Sequence, residues 1–330
     1  MRYIDHGGGG GPEVLAVREM RQPVPGPGDI LIQVAYAGVN RPDCAQRIGR
    51  YPPPPGASTV LGLEVAGRVA AVGEGVEGWR LGDRVCALTP GGGYADYCVA
   101  PAGHCLPVPQ GWSLRDAAGL PEAAFTVWDN LFRRARLAAG EVVLVHGGSG
   151  GVGNAAIQMA RAMGATVLAT CGSEAKAARC RELGAHHTIL YREQDFVQQA
   201  LAFTGGRGVD VVLDMVAGPY LARDLEALAV DGRIAVIAFM GGTQATIDVI
   251  PLLRKRAQVT GSTLRPCTVE HKAAIAQELL ARIWPHLDKG HGRPAIEAVF
   301  SPAQAADAHR LMESGSHFGK LLLEMDGSLT

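Results

Sequence analysis

Three stretches of this sequence hold residue types at spacings that could do chemistry. The first runs Val142-Val143-Leu144-Val145-His146-Gly147-Gly148-Ser149-Gly150-Gly151-Val152-Gly153. An apolar run meets a cluster of glycines, and an Ala-rich segment follows. Glycines let the backbone turn tightly and approach a pyrophosphate, whose charge is favoured by the free N–H groups at a helix start. The spacing is Gly147-x-x-Gly150-x-x-Gly153, with Gly148-x-Gly150 also present, so it approximates the dinucleotide fingerprint without matching it strictly. With a strand before it, a helix after it and a second strand–helix unit following, the stretch predicts a dinucleotide-binding loop.

The second stretch is Cys171-Gly172-Ser173, with Lys176 and Arg179 just beyond. It ends the strand that should lie beside the adenosine ribose. An acidic residue there would bind a 2′-hydroxyl and repel a 2′-phosphate, whereas glycine, serine and lysine leave room, a donor and a cation for the phosphate. NADPH is therefore expected over NADH, although Ser173 also reads as an ordinary helix cap and Lys176 as a solvated side chain. The third stretch joins Asn40 to Tyr51, which precedes four prolines (Pro52–Pro55) that stiffen its loop. The Tyr51 hydroxyl could hydrogen-bond an acceptor carbonyl or donate a proton as a general acid; a packing tyrosine is the plain alternative. Asn40 could orient an acceptor or a nicotinamide ribose, or simply end a strand. His146 reads as a satisfied structural histidine and His186-His187 as a solvated turn. Lys320, in Phe318-Gly319-Lys320, either reaches the cofactor or is a surface lysine.

Two kinds of element must position these residues. Up to about residue 120 short β-branched runs alternate with Gly/Pro turns, including Ile30–Val34, Val65–Val72 and Arg84–Leu88, which predicts a compact, mostly β module. Asp116–Arg136 then reads as Ala-rich and helical. Beyond it strands at Val142–His146, Thr166–Thr170, Val209–Met215 and Ile234–Phe239 alternate with helices at Val152–Met163, Glu174–Leu183 and Tyr220–Leu228. That alternation means parallel βαβ units. The tail (helix Val269–Trp284, strand Ile296–Phe300, helix Ala303–Met312, strand Lys320–Met325) reads as returning to the first module. The expected division is 1–122, 123–264 and 265–330.

Metal ligands are sought and not found. Where a cysteine ligand would follow the first long strand stands Asn40-Arg41-Pro42-Asp43; where Gly-His-Glu would lie stands Gly62-Leu63-Glu64; a four-cysteine lobe is replaced by Thr89-Pro90-Gly91-Gly92-Gly93-Tyr94. No metal site is expected. These motifs, with Tyr51–Gly56, Leu61–Glu64, Pro121-Glu122, the Gly147–Gly153 loop and Phe318–Lys320, resemble the zinc-free medium-chain dehydrogenases/reductases. Within them the chain is most similar to the zeta-crystallin-like NADPH:quinone oxidoreductases, on the stress-inducible branch. The resemblance runs over essentially the whole chain.

It implies an α/β fold: a GroES-like β-rich catalytic domain, a Rossmann domain with a doubly wound parallel sheet, and a homodimer formed through the Rossmann sheets. It also implies NADPH contacts from Asn40 and Thr126 near the nicotinamide, and from Gly147, Ser149, Gly150, Gly151 and Val152 at the pyrophosphate. Gly172, Ser173, Lys176 and Tyr191 match the 2′-phosphate positions. Phe239, Met240 and Gly241 match the switch between Rossmann halves, and Leu264, Phe318 and Lys320 the closing tail. Phe125–Trp128 and Thr263–Pro266 depart from the family pattern and are expected to line or flank the acceptor pocket. The implied activity is NADPH-dependent reduction of a small quinone, with Tyr51 and Asn40 as the catalytic pair. Reduction of an enoyl thioester or alkenal is the alternative, since relatives of that type also place a tyrosine after Asn-x-x-Asp. A non-catalytic NADPH-binding module is a third.

Bulk properties set the remaining bounds. Of the 330 residues 47% are hydrophobic, 19% charged and 5% aromatic, the balance of a globular protein. The formal charge of -1 and the lack of a basic run argue against a nucleic-acid partner. No apolar run reaches the roughly 18 residues of a membrane span, and the N-terminus lacks a secretory core, so a cytoplasmic address is expected. The seven cysteines are scattered without a CxxC pair and read as buried small apolar residues in a reducing compartment.

Overall fold

The turn-punctuated stretch up to residue 107 forms seven strands in the computed structural model, which describes residues 1–329. They are β1 (Arg2–Asp5), β2 (Ala16–Glu19), β3 (Asp29–Val39), β4 (Glu64–Val72), β5 (Arg84–Leu88), β6 (Tyr97–Pro101) and β7 (Cys105–Pro107), with helix α1 (Arg41–Arg47) between β3 and β4. β1 and β2 pair antiparallel as a separate ribbon. β3 is the organising strand, pairing antiparallel with β4, β6 and the last strand of the chain. It is accordingly buried along most of its length, and Ile30, Ile32 and Val34 anchor a core shared with Val65, Val85, Leu321 and Leu323.

The Ala-rich stretch is helical, as expected over Asp116–Arg136. It breaks into α2 (Leu114–Ala118), α3 (Pro121–Val127) and a π-helical turn over Trp128–Arg134. Ser113 caps α2, accepting from Asp116 N, and Gly119 ends it. Pro121 has no N–H to donate back into a preceding turn, so it begins a new helix instead of continuing the old one.

The chain then alternates through β8 (Val142–Val145), α4 (Gly151–Ala162), β9 (Thr166–Cys171), α5 (Glu174–Glu182), β10 (His187–Leu190) and α6 (Phe196–Phe203). It continues with β11 (Val209–Asp214), α7 (Tyr220–Ala227), β12 (Leu228–Val236), α8 (Val249–Arg254) and β13 (Gln258–Gly261). The six strands form one sheet in the order β10-β9-β8-β11-β12-β13, every pair parallel. Numbered within the sheet, that is 3-2-1-4-5-6, the doubly wound dinucleotide-binding order, with its switch point between β8 and β11. Four of these elements, β10, α6, α8 and β13, lie outside the strand–helix series expected from the sequence. His187 opens β10, so the His186-His187 pair is not wholly a turn; His186 alone lies outside the strand and is exposed.

The tail comprises α9 (Val269–Arg282), α10 (Trp284–Leu287), β14 (Ile296–Phe300), α11 (Ala305–Ser314) and β15 (Lys320–Glu324). Thr268 caps α9, and Gly315 ends α11 in the left-handed region at φ +65. β15 pairs antiparallel with β3 and parallel with β14, completing a seven-stranded sheet ordered β14-β15-β3-β4-β5-β7 with β6 also on β3. The chain thus divides into two compact units, Met1–Phe125 with Arg265–Thr330, and Thr126–Leu264. None of the helices among the described residues is long and apolar enough to cross a membrane.

Candidate active site

In the parallel-sheet unit the glycine loop leaves the end of β8 at the switch point. Gly147 turns at φ +63, and a Cβ there would stand 2.9 Å from Met215 Sδ, at the end of neighbouring β11. The loop closes on itself through Gly150 N–H donating to Gly147 O at 3.0 Å. The first helical bond of α4 is Asn154 N to Gly150 O, 2.8 Å, so the N–H groups of Gly151, Val152 and Gly153 have no acceptor within the helix. A Cβ on Gly153 would come within 2.3 Å of Gly147 O, so only glycine lets the helix start pack this tightly on the loop. The cradle fits a pyrophosphate: free donors, a helix N-terminus and no side chain in the way. Ser149 is half-buried in it.

Beneath the loop lies a buried chain. Gly147 N–H donates to Thr170 Oγ1 at 3.1 Å, Thr170 Oγ1 meets His146 Nδ1 at 3.3 Å, and His146 Nε2 meets Asp224 Oδ1 at 2.8 Å. The Phe196 and Tyr220 rings pack edge-on against His146 at 4.7 and 5.0 Å. Burial raises the Asp224 carboxyl to about 6, an effect His146 opposes. His146 therefore works structurally, fixing the strand end from which the loop departs. After β12 the Phe239–Gly241 segment is pinned to the chain leaving β11 by Met240 N to Met215 O (3.2 Å) and Gly241 N to Val216 O (2.6 Å), with Phe239 67% and Met240 61% exposed.

The turn after β9 carries no acid at Gly172 or Ser173. Ser173 does cap α5, accepting from Lys176 N, and Lys176 is half-buried beside it. The nearest acid, Glu174, is ion-paired with Arg181. A Cβ on Gly172 would lie 3.1 Å from Tyr191 Oη, so these two expected ligands of one phosphate are brought together. Thr126 and Leu264 are half-buried at the ends of the unit, and Thr126 O accepts from Asn130 Nδ2 at 2.9 Å.

In the β-rich unit the sequence left most of the site unseen. Asn40 follows β3 and is 5% exposed. Its Oδ1 accepts from Lys320 Nζ at 2.6 Å and its Nδ2 donates to Glu64 Oε1 at 2.9 Å. Lys320 also pairs with Glu64 Oε1 at 2.5 Å, and Glu64 Oε2 accepts Glu122 N–H at 2.9 Å. A lysine can only donate, so it fixes which end of the Asn40 amide faces it. Lys320 is buried at 3% exposure, which corrects the surface-lysine alternative: β15 places it inside, opposite the start of β4. Gly38 makes room, because a Cβ there would stand 2.1 Å from Glu64 Oε1.

A second chain of bonds supports the first. Asp43 accepts from Asn40 N (2.8 Å), Gly62 N (3.2 Å) and Tyr94 Oη (3.2 Å). Tyr94 Oη also meets His309 Nε2 at 3.1 Å, and His309 Nδ1 accepts from Arg47 Nη1 at 2.9 Å. Arginine only donates, so the His309 proton sits on Nε2 and points to Tyr94, which in turn donates to Asp43. Burial and then Arg47 push His309 down to about 3, keeping it neutral, while burial raises the Asp43 carboxyl to about 6 against the pull of its donors and Lys320. Of these residues Asp43 alone left a sequence signal, the three-residue spacing of a capping box after Asn40.

Tyr51 is half-buried on its proline-rich loop, and its hydroxyl has no hydrogen-bond partner among the described residues. No hydrogen bond joins it to Asn40. Burial raises the phenol, while Arg265 pulls the other way. Phe318 is buried at 2% exposure. Six cysteines are buried and Cys267 is partly so. Among the described residues no group of three His, Cys, Asp or Glu side chains could hold a metal ion; of the two carboxylates beside Asn40, Glu64 is matched by the Lys320 ammonium, and Asp43 accepts from Asn40 N, Gly62 N and Tyr94 Oη.

Comparison with known proteins adds the family. The alcohol dehydrogenase GroES-like domain matches residues 26–110, and the domain described as zinc-binding dehydrogenase matches 151–281. A Rattus norvegicus quinone oxidoreductase is 36% identical over 319 residues, 95% of this chain and 94% of that one. The Escherichia coli quinone oxidoreductase solved with NADPH has a TM-score of 0.86 at 30% identity, covering 98% of this chain and 100% of that chain. A structure described as an NAD-dependent alcohol dehydrogenase scores 0.86 at 30% identity, covering 99% and 100%. Fold and cradle therefore define an NAD(P)H-dependent oxidoreductase. Within that class the chain belongs to the medium-chain dehydrogenase/reductase family, quinone oxidoreductase type.

Proposed function

We propose that this protein is a zinc-independent NADPH:quinone reductase. The observation that carries the reading is the Asn40–Glu64–Lys320 cluster. Of the stretches where zinc-using members of the fold would hold metal ligands, one carries the Asn40 amide and another the Glu64 carboxylate, and the buried Lys320 ammonium pairs with both. The full-length similarity to quinone oxidoreductases supports the acceptor class.

NADPH, when bound, supplies the hydride, and the protein supplies position and electrostatics. Gly151 and Val152 N–H groups take the pyrophosphate, with Gly147, Ser149 and Gly150 shaping the loop. Gly172, Ser173, Lys176 and Tyr191 take the 2′-phosphate; the missing acid and the present lysine support NADPH over NADH. Thr126, Phe239, Met240, Gly241, Leu264 and Phe318 complete the cofactor contacts, and Lys320 contributes by holding Asn40. Asn40, locked by Lys320 and Glu64, retains one amide N–H for a ligand. Tyr51 donates its free hydroxyl to the acceptor oxygen, stabilising the charge that develops there.

One observation favours a second reading, reduction of an enoyl thioester or alkenal: the unpartnered Tyr51 hydroxyl, which suits a proton donor as well as a hydrogen-bond donor. NADPH oxidation against quinones, alkenals and enoyl thioesters, run side by side and repeated with NADH, decides. Turnover confined to thioesters overturns the quinone reading, and equal use of NADH overturns the assignment of Ser173 and Lys176.

The same reading places the enzyme in the cytoplasm as a homodimer. Support for the dimer is the open edge of the parallel sheet. Among the described residues β13 pairs only with β12 and leaves Val259 43% exposed, with Val249, Ile250 and Leu253 exposed nearby in sequence. Such an edge is a template for a second copy.

A further inference from the structure

Arg265 is a buried cation that forms no ion pair among the described residues. It is 7% exposed, and no carboxylate pairs with it among the described residues. Burying an unpaired charge is costly, and burial does push this guanidinium below its ordinary pKa. Its donors go to two separate loops: Nε and Nη2 to Pro90 O at 3.2 and 3.0 Å, and Nη1 to Tyr51 O at 3.3 Å. Its Cζ lies 5.3 Å from the centre of the Tyr51 ring. The turn it grips is shaped to admit it, since a Cβ on Gly91 (φ +154) would lie 3.5 Å from Nη2 and 2.6 Å from Ser58 O. Lys272, itself buried, holds the Arg265 carbonyl at 2.7 Å.

We infer that Arg265 is a positioning residue that acts through Tyr51, tying the Tyr51 loop to the Pro90 turn and setting a positive charge on the phenol ring. The inference rests on the reading of Tyr51 as donor to the acceptor oxygen. The charge keeps the Tyr51 hydroxyl a good donor despite its half-buried place. Burial raises the phenol most; the charged and titratable groups bearing on it are Arg265, which lowers it, and Glu122 and Cys267, which raise it. A lysine could supply the charge but not the fork: one ammonium cannot bond two loops and lie over a ring at once.

The test is an ultraviolet titration of tyrosinate on the intact enzyme, with the Tyr51 signal isolated by subtracting Tyr51→Phe in each background. Arg265→Met should move the Tyr51 titration up by about one pH unit or more. Arg265→Lys should keep it near the parent value while lowering kcat. Arg265→Gln carries the same titration expectation where Arg265→Met does not fold. In kcat/KM for para-benzoquinone, Arg265→Met should cost little further once Tyr51→Phe is present. An unmoved titration, or costs that simply add, overturns the inference. If Tyr51→Phe costs nothing with quinone or with a cyclic enone, the Tyr51 reading fails instead, and the titration shift remains readable by itself.

Discussion

Lys320→Met tests the buried cluster directly. The substitution keeps the aliphatic stem of the side chain but removes the ammonium that Glu64 and Asn40 Oδ1 share. Glu64 is fully buried, at 0% exposure. Removing one partner of a buried pair costs roughly 3–5 kcal/mol because the other charge is left uncompensated. Glu64 keeps two donors, Asn40 Nδ2 and Glu122 N, which places the expected loss at the lower end, about 3 kcal/mol. In a unit of this size that lowers Tm by roughly 6–12 °C. The loss also depends on pH through Asp43, whose folded pKa of about 6 lies above its ordinary 3.8. The native state holds that proton more tightly, so the stability it contributes is present below about pH 4 and fades as pH rises through about 6. Lys320 is one of the charges that lower Asp43. Without it the fading extends to higher pH, and the deficit against the parent is larger near pH 8 than near pH 5. Denaturant unfolding at both pH values is the assay, with Glu64→Gln/Lys320→Met as the control that removes both charges and recovers most of the loss. A deficit below about 1 kcal/mol, the value of a solvated surface pair, and flat with pH, would refute the reasoning.

Four further outcomes are expected. Tyr51→Phe should cost a quinone about fivefold in kcat/KM, one neutral hydrogen bond, and an enone or enoyl thioester about a hundredfold or more, because there the hydroxyl must deliver a proton to carbon; equal losses would remove the distinction between the two readings. Gly153→Ala puts a methyl group within 2.3 Å of Gly147 O, and titration of NADPH should show binding weaker by about one to two orders of magnitude, the cost of overpacking. Lys176→Ala should narrow the preference for NADPH over NADH about tenfold in kcat/KM, the value of one charge-assisted bond; an unchanged ratio would clear Lys176 of the role. Val259→Pro removes a donor from the exposed β13 edge and should yield monomers by sedimentation while leaving NADPH binding intact.

How far the molecule was legible depends on the range of the interactions. The glycine loop, the βα turn after β9 and the strand–helix alternation of the parallel-sheet unit are local patterns, set within a dozen residues by backbone freedom and side-chain period, and the observed elements follow them closely. Elements held mainly by their neighbours, such as β10 and β13, left no such local pattern.

The opening residues divide along the same line. Which residues shape the loop from Gly147 to Gly153 was a property of the sequence, because glycine's missing Cβ acts at its own position. That no acid stands at Gly172 or Ser173 was equally plain. The state of Asn40 and Lys320 was not: they are 280 residues apart, and only the pairing of β15 with β3 brings the ammonium to the amide. Asp43, Tyr94, His309 and Arg47 likewise form one hydrogen-bonded chain only after α1, the loop before β6 and α11 have packed. Sequence alone determined the chemistry each residue could offer. Burial and long-range strand pairing decided which of those groups are paired, which are neutral, and which hydroxyl remains free, because desolvation and hydrogen-bond partners exist only in the folded chain.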